Sequence, residues 1–262
     1  MKRFLFTIGL FANVIFAVAQ EAWLQPERFF YKDGEHVSIT FLAGADFIGR
    51  PFKNVLVADL TLHQMSAGRD LLDSIRNDAE VGLKYAVKAE GTCLFAMQTE
   101  DILHEIPADT FNLMLKDYEL DAVRNQRQKS NVVNAPARVN QRLFEKLIIQ
   151  VGDNRDETYK KVIGWPVEII PDRNPMSLKV GDQVRFKILF DGKAIFGVRA
   201  KVWNRYNNRT TLQNIYTQQD GTIEVRISSP GPWMVTVMKM IPSREPGVDW
   251  QSYQGGFVFG FD

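Results

Sequence analysis

Gln183-Val184-Arg185-Phe186-Lys187-Ile188-Leu189-Phe190-Asp191-Gly192 decides the fold. Val184, Phe186, Ile188 and Phe190 fall on one side of an extended chain, with Gln183, Arg185 and Lys187 on the other. Such alternation marks a half-buried strand. Asp191-Gly192 then forms the strongest kind of short hairpin signal, because both residues tolerate the positive φ of a tight primed turn. Upstream, Val180-Gly181-Asp182 opens the strand, and downstream residues 195–203 read as its return. Asp220-Gly221 predicts another turn leading into 222–227, and Pro230-Gly231-Pro232 feeds a strand over 233–241. Residues 257–261 place Phe257, Phe259 and Phe261 at every second position. Seven or so short strands in about 100 residues is the density of an immunoglobulin-like sandwich.

The first half is also mainly β. Residues 36–41 alternate, and residues 54–64 put Leu56, Ala58, Leu60 and Leu62 on one face. Gly91–Thr99 is a third strand, with Cys93, Phe95 and Met97 together. One helix is expected from Ile106-Pro107-Ala108-Asp109, with Asp109 as its cap and Phe111, Leu113, Met114, Leu115 and Tyr118 at helical spacing. A second short helix starting at Arg138 runs into a strand ending in Leu147-Ile148-Ile149-Gln150-Val151. The polar stretch 125–131 reads as an exposed loop. A charged segment over 153–164, closed by Gly164-Trp165-Pro166, marks a boundary. The expected organisation is two β-sandwich domains: residues 20–163, with a helical insertion near 107–146, and residues 164–262, immunoglobulin-like.

The N-terminus reads as a cleavable export signal over residues 1–19. Lys2 and Arg3 precede an apolar run over 4–19, and Ala17-Val18-Ala19 supplies the small-x-small pattern that a signal peptidase accepts. Cleavage falls between Ala19 and Gln20. The run is shorter than the roughly 18 residues a spanning helix needs, and no later segment is long and apolar enough to cross a bilayer. The chain carries 32 basic and 31 acidic residues, and losing Lys2 and Arg3 with the leader brings the net charge to −1. That balance argues against nucleic acid, which selects a basic face. Cys93, the single cysteine, has no partner for an intramolecular disulfide and reads as a buried core residue.

Catalytic patterns are absent: there is no Gly-rich phosphate loop, no Gly-x-Ser-x-Gly elbow and no Cys-x-x-Cys pair. His36 and His63 lie on the polar faces of their strands and read as solvated. His104-Glu105 starts like a metalloprotease helix, but Ala108 stands where the second histidine would be, and one imidazole makes no zinc site. The carboxylates of Glu100-Asp101 and of Asp117, Glu119 and Asp121 scatter around their elements. The five tryptophans are expected in cores.

The order of several short motifs resembles a bacterial family described as a nickel uptake substrate-specific transmembrane region, an exported domain of unknown function. The matching residues begin with Trp23-Leu24-Gln25-Pro26, then Gly44 with Phe47, Phe111-Asn112, and Arg138, Arg142 and Lys146. In the second half they are Pro175, Leu178 and Gly181, the turn Asp191-Gly192-Lys193, Asp220-Gly221, Gly231-Pro232-Trp233, and Asp249-Trp250-Gln251-Ser252. The resemblance spans almost the whole mature chain and implies a nickel or cobalt role with an envelope transporter or receptor as partner. The family carries histidine near its mature start and before a methionine in the strand after Gly-x-Trp. Here Glu21 and Lys239 occupy those two places. Imidazoles suit nickel and cobalt, whereas a lysine binds metal only when deprotonated.

Three functions are therefore set against one another. The first is an exported, non-catalytic binding protein of the cell envelope, an accessory to nickel, cobalt or other solute uptake. The second is a structural or protein-interaction module with no metal role. The third, a hydrolase, would need carboxylates or histidines converging in one pocket once the chain folds.

Overall fold

The computed structural model describes residues 21–51, 57–76 and 82–261. The export signal, its cleavage site at Ala19 and Gln20, and the start of the expected 54–64 strand, including Leu56, lie outside the described residues. The first half contributes β1 (Glu21–Pro26), β2 (Phe30–Tyr31), β3 (His36–Ala45), β4 (Ile48–Pro51), β5 (Val57–Gln64) and β6 (Ala67–Asp70). It continues with β7 (Leu83–Ala86), β8 (Gly91–Thr99), β9 (Ile102–Ile106), helices α1 (Ala108–Asp117) and α2 (Asp121–Lys129), and the long β10 (Ala137–Val151). The second half adds β11 (Val167–Pro171), β12 (Gln183–Phe190), β13 (Lys193–Ala194), β14 (Arg199–Tyr206) and β15 (Arg209–Tyr216). It ends with β16 (Thr222–Arg226), β17 (Gly231–Pro242) and β18 (Trp250–Phe261).

The protein is mainly β, two sandwiches built on one sheet. Ten strands form that central sheet, in the order β15-β14-β17-β18-β10-β8-β5-β6, with β2 and β9 also pairing β10. Strands from either side of residue 164 meet in it. β10 and β18 run parallel, in register from Val139 opposite Trp250 to Leu147 opposite Val258. β1, β3, β4 and β7 make one smaller sheet, and β11, β12, β13 and β16 make another.

Side-chain alternation puts the two smaller sheets on opposite faces of the central one. Leu143, Leu147, Trp203, Met234 and Val258 join the core beneath the β1 sheet. Their neighbours Phe144, Ile148, Val202, Val235 and Phe257 point the other way, into the core beneath the β12 sheet. The helices share the first face: Phe111, Met114, Leu115 and Val123 pack on Val139, Met238, Met240 and Trp250.

β12 behaves as its sequence predicts, with Val184, Phe186 and Ile188 buried and Phe190 at the half-buried end. Asp191 and Gly192 have φ of 48° and 72°, and the turn pairs Phe190 with Lys193. The return is different from the expected 195–203 strand. β13 lasts two residues, the chain turns through Gly197, and β14 joins the central sheet instead. Residues 195–198 of the expected strand therefore lie in no strand, and only 199–203 are extended, as the start of β14. Asn207 and Asn208, with φ of 50° and 59°, make the tight turn to β15.

Two further expectations are corrected in the first half. Residues 125–131 are not a loop, since α2 runs from Asp121 to Lys129 and turns Val123 and Arg127 inward. No second helix starts at Arg138, because β10 is extended throughout and buried on both faces, which removes the alternation that identifies a strand. α1 begins beside Pro107, and Asp109 sits in its first turn rather than at its cap. The five tryptophans and Cys93 are buried, as expected. Burial pushes the Cys93 thiol up to about 12, so at neutral pH it stays protonated and inert.

Candidate functional site

The first face of the central sheet carries a polar row between the β1 sheet and the helices. Register places Lys201 opposite Thr236, Thr236 opposite Gly256, and Gly256 opposite Glu145. Glu21, from β1, closes over this row. Its carboxylate accepts from Lys201 Nζ at 3.0 Å and from the Tyr118 hydroxyl at 3.0 Å. Lys201 also donates to Asp117 at 2.6 Å and lies 3.9 Å from the Tyr118 ring centroid. Glu21, Lys201 and Tyr118 are each buried. Burial raises the Glu21 pKa, and Lys201 opposes the shift.

Glu145 is 0% exposed, and neither of its carboxyl oxygens has a hydrogen-bond partner among the described residues. Its carboxyl group rests over Gly256, in the space an added Cβ would take. Burial, reinforced by the charge of Glu21, pushes its pKa well above the usual carboxylate range. Burial thus favours the neutral acid over the carboxylate, whose uncompensated charge is costly away from water.

On the opposite face, Lys146 and Glu168 form a fully buried ion pair. Glu168 Oε1 also accepts the backbone N–H groups of Ile163, Gly164 and Trp165, at 2.8, 2.7 and 3.1 Å. Lys146 donates to the Lys161 carbonyl. The pair thus clamps the segment that crosses between the two halves.

Glu21 and Lys239 do not meet. Glu21 belongs to the first face, while Lys239 alternates with Val235 and Val237 onto the second and lies 5.7 Å from the Phe190 ring centroid. No three His, Cys, Asp or Glu side chains converge on a metal position among the described residues. His36 is exposed; His63 and His104 are half-buried, not solvated, and burial lowers the pKa of both. The residues at the two histidine positions do not fit nickel or cobalt: the carboxylate is already held by Lys201, and the amine is a whole sheet away.

Most motif positions serve the fold. Trp23 packs edge-on against Phe47, and Pro26 is buried at the end of β1. Trp233 is 0% exposed and donates to the Ser229 carbonyl at 3.1 Å. Gly181 adopts φ 100° as its N–H reaches the Ile227 carbonyl, and Asp220 holds its turn by accepting from Thr222, with Gly221 next to it. Asp249 and Trp250 do so too, Asp249 by accepting the Arg138 N–H and Trp250 in the core under the helices. Together with Gln126, Arg127, Ser130 and Pro136 they line a cleft of about 290 Å³ between α2 and the start of β18. A shallower depression of about 650 Å³ near Phe30 and Phe261 has Arg155 and Lys179 in its described lining, which includes no carboxylate.

Arg127 is 3% exposed, with its guanidinium 4.9 Å from the Phe111 ring centroid. Nη2 donates to the carbonyls of Val133 and Ala135, while Nε has no acceptor among the described residues. Asp249 accepts the Arg138 N–H at 2.7 Å. Nothing in the sequence announced this pairing of a helix arginine with a strand-end aspartate. Chemically, the cleft offers opposite charges, Arg127 and Asp249, among its described lining.

No helix of the described residues is long and apolar enough to cross a membrane. No curated protein matches the chain. Among solved structures it is similar to Escherichia coli alpha-2-macroglobulin activated by porcine elastase, at 12% identity and a TM-score of 0.22, covering 93% of this chain and 22% of that one. It is also similar to dimeric latent PorU from Porphyromonas gingivalis, at 12% identity and a TM-score of 0.20, covering 95% and 21%. The chain spans about a fifth of the length of those two structures. A family model described as a domain of unknown function, DUF4198, matches residues 17–240, and the chain belongs to that family.

Proposed function

We propose that this is an exported, non-catalytic binding protein of the cell envelope whose ligand is a small solute, not nickel or cobalt. The observation that carries the reading is the cleft between α2 and Asp249-Trp250, a concave polar site with a nearly buried arginine and no catalytic dyad. Small, preformed clefts with a few oriented polar groups are where solutes bind. The signal-like residues 1–19 supply the export, and an envelope transporter or receptor is the partner to which the solute passes. Tryptophan fluorescence of residues 20–262, titrated with small solutes and separately with nickel and cobalt, tests the proposal. The expected result is a saturable change with a solute that is recovered chemically unaltered, and none with either metal. Micromolar binding of nickel or cobalt, or turnover of the solute, would overturn it.

A second reading, a structural module that pairs with a second copy, is favoured by β15. This strand ends the central sheet, and after Arg209 it carries seven uncharged residues, with Leu212 and Tyr216 exposed. Edge strands are usually protected by charge or by a short length. Pairing through this edge predicts a concentration-dependent dimer in sedimentation equilibrium that Leu212→Lys converts to monomer. A wild-type chain that is monomeric at about 100 µM, where contacts weaker than roughly 5 kcal/mol are lost, would exclude it.

A further inference from the structure

The charges in the cleft say more than that something small binds there. Arg127 and Asp249 line it together, yet they form no ion pair with each other. Each is instead fixed from behind: Arg127 by the Val133 and Ala135 carbonyls, Asp249 by the Arg138 N–H. A guanidinium and a carboxylate that line one cleft without pairing match a ligand that carries the opposite charges at its two ends. Arg127 is the anion-recognising group. Nη2 is spent on the Val133 and Ala135 carbonyls, which leaves Nη1, a charged N–H donor with no hydrogen bond among the described residues, to meet a carboxylate, while Nε is a buried donor that the described residues do not satisfy. Such groups in native structures call for a partner. Asp249, more exposed, suits an ammonium. Trp250 and Pro136 supply apolar wall, and Gln126 and Ser130 a polar rim. The volume is at the lower end of ligand sites, which suits a small solute.

From these residues we infer that the cleft binds a free amino acid or a zwitterion of that size, with its carboxylate on Arg127 and its ammonium on Asp249. This rests on the solute-binding reading and specifies its ligand.

Saturation-transfer NMR on residues 20–262 with a mixture of the twenty standard amino acids is the test. Transfer to one or a few of them is expected, and it should vanish in Ser130→Trp, which fills the cleft from an exposed helix end without entering the core. Asp249→Asn keeps an oxygen for the Arg138 N–H while removing the charge, and should weaken the bound amino acid at least tenfold. Deaminated and decarboxylated analogues of the same compound should weaken to the same extent. If the analogues bind as well as the parent and Ser130→Trp abolishes all of them, the cleft is a solute site of another class. That outcome overturns the zwitterion alone. If no amino acid binds and the wider solute titration is also silent, both this inference and the solute-binding reading fail.

Discussion

Glu168→Leu should cost about 3–5 kcal/mol of stability, the usual penalty for leaving one member of a buried ion pair uncompensated, which is a large share of an ordinary margin of about 5–15 kcal/mol. Two losses combine at this site. Lys146 would keep a charge in a place from which water is excluded, and burial already pulls its pKa down, opposed chiefly by Glu168. The backbone N–H groups of Ile163, Gly164 and Trp165 would lose their shared acceptor just where the chain crosses between halves. Each orphaned donor costs about 1–3 kcal/mol when it cannot reach water, though neighbouring terms do not add simply. Lys146→Met should be milder, because Glu168 would retain its three N–H donors and Met fills the lysine's apolar volume. Urea midpoints of the two variants give the order directly. A Glu168→Leu protein within about 1 kcal/mol of wild type, below the usual range for a broken buried pair, would mean the clamp is not holding the halves together.

That clamp shows where sequence reasoning reaches its limit. Lys146 and Glu168 each sit in an apolar strand, and nothing local says that they meet. Glu21 and Lys201 are 180 residues apart, and Arg127 and Asp249 also come from opposite halves of the chain. Such pairs are set by sheet order, and sheet order depends on long-range register that one sequence does not encode visibly. What was legible was local: the alternation of β12, the Asp191-Gly192 and Asp220-Gly221 turns, the phenylalanines of β18 and the burial of Cys93.

The misses have equally local causes. α2 was hidden because its inward face is Val123 and Arg127, and an arginine does not register as apolar. β10 was hidden because both its faces are covered, so its period vanished. The crossing after β13 could not be seen, since a chain that changes sheets keeps the same strand-like composition. The two motif positions that the resemblance singled out for metal lie on opposite faces of one sheet, a fact that spacing alone could not reveal. Family motifs in such a fold mostly record where the backbone must turn and where tryptophan must fit.

Glu145→Met should raise stability by about 1–3 kcal/mol near pH 8, the scale of a buried polar group left without partners. The carboxyl contributes no hydrogen bond among the described residues, and its neighbour Glu21 is acidic, with Lys201 already engaged by Glu21 and Asp117. Methionine has a similar reach and adapts its shape, so it can occupy the space over Gly256 without a cavity. The dependence on pH has a definite sign. Burial raises the folded-state pKa of Glu145 above its unfolded value of about 4.3. The folded chain therefore holds a proton that the unfolded chain releases, and wild-type stability declines as pH rises from that value up to the raised folded pKa. Below it both states are protonated and the linkage contribution is gone, so the gap between Glu145→Met and wild type should narrow on acidification. Glu21, whose pKa burial also raises, shifts stability in the same direction and leaves a residual slope in the variant. Thermal unfolding of both proteins from pH 4 to pH 8 measures the gap. A variant that is less stable than wild type throughout would show that this buried acid is held by a partner that stabilises it, and that the polar row is a binding element in its own right and not a cost of joining two sandwiches on one sheet.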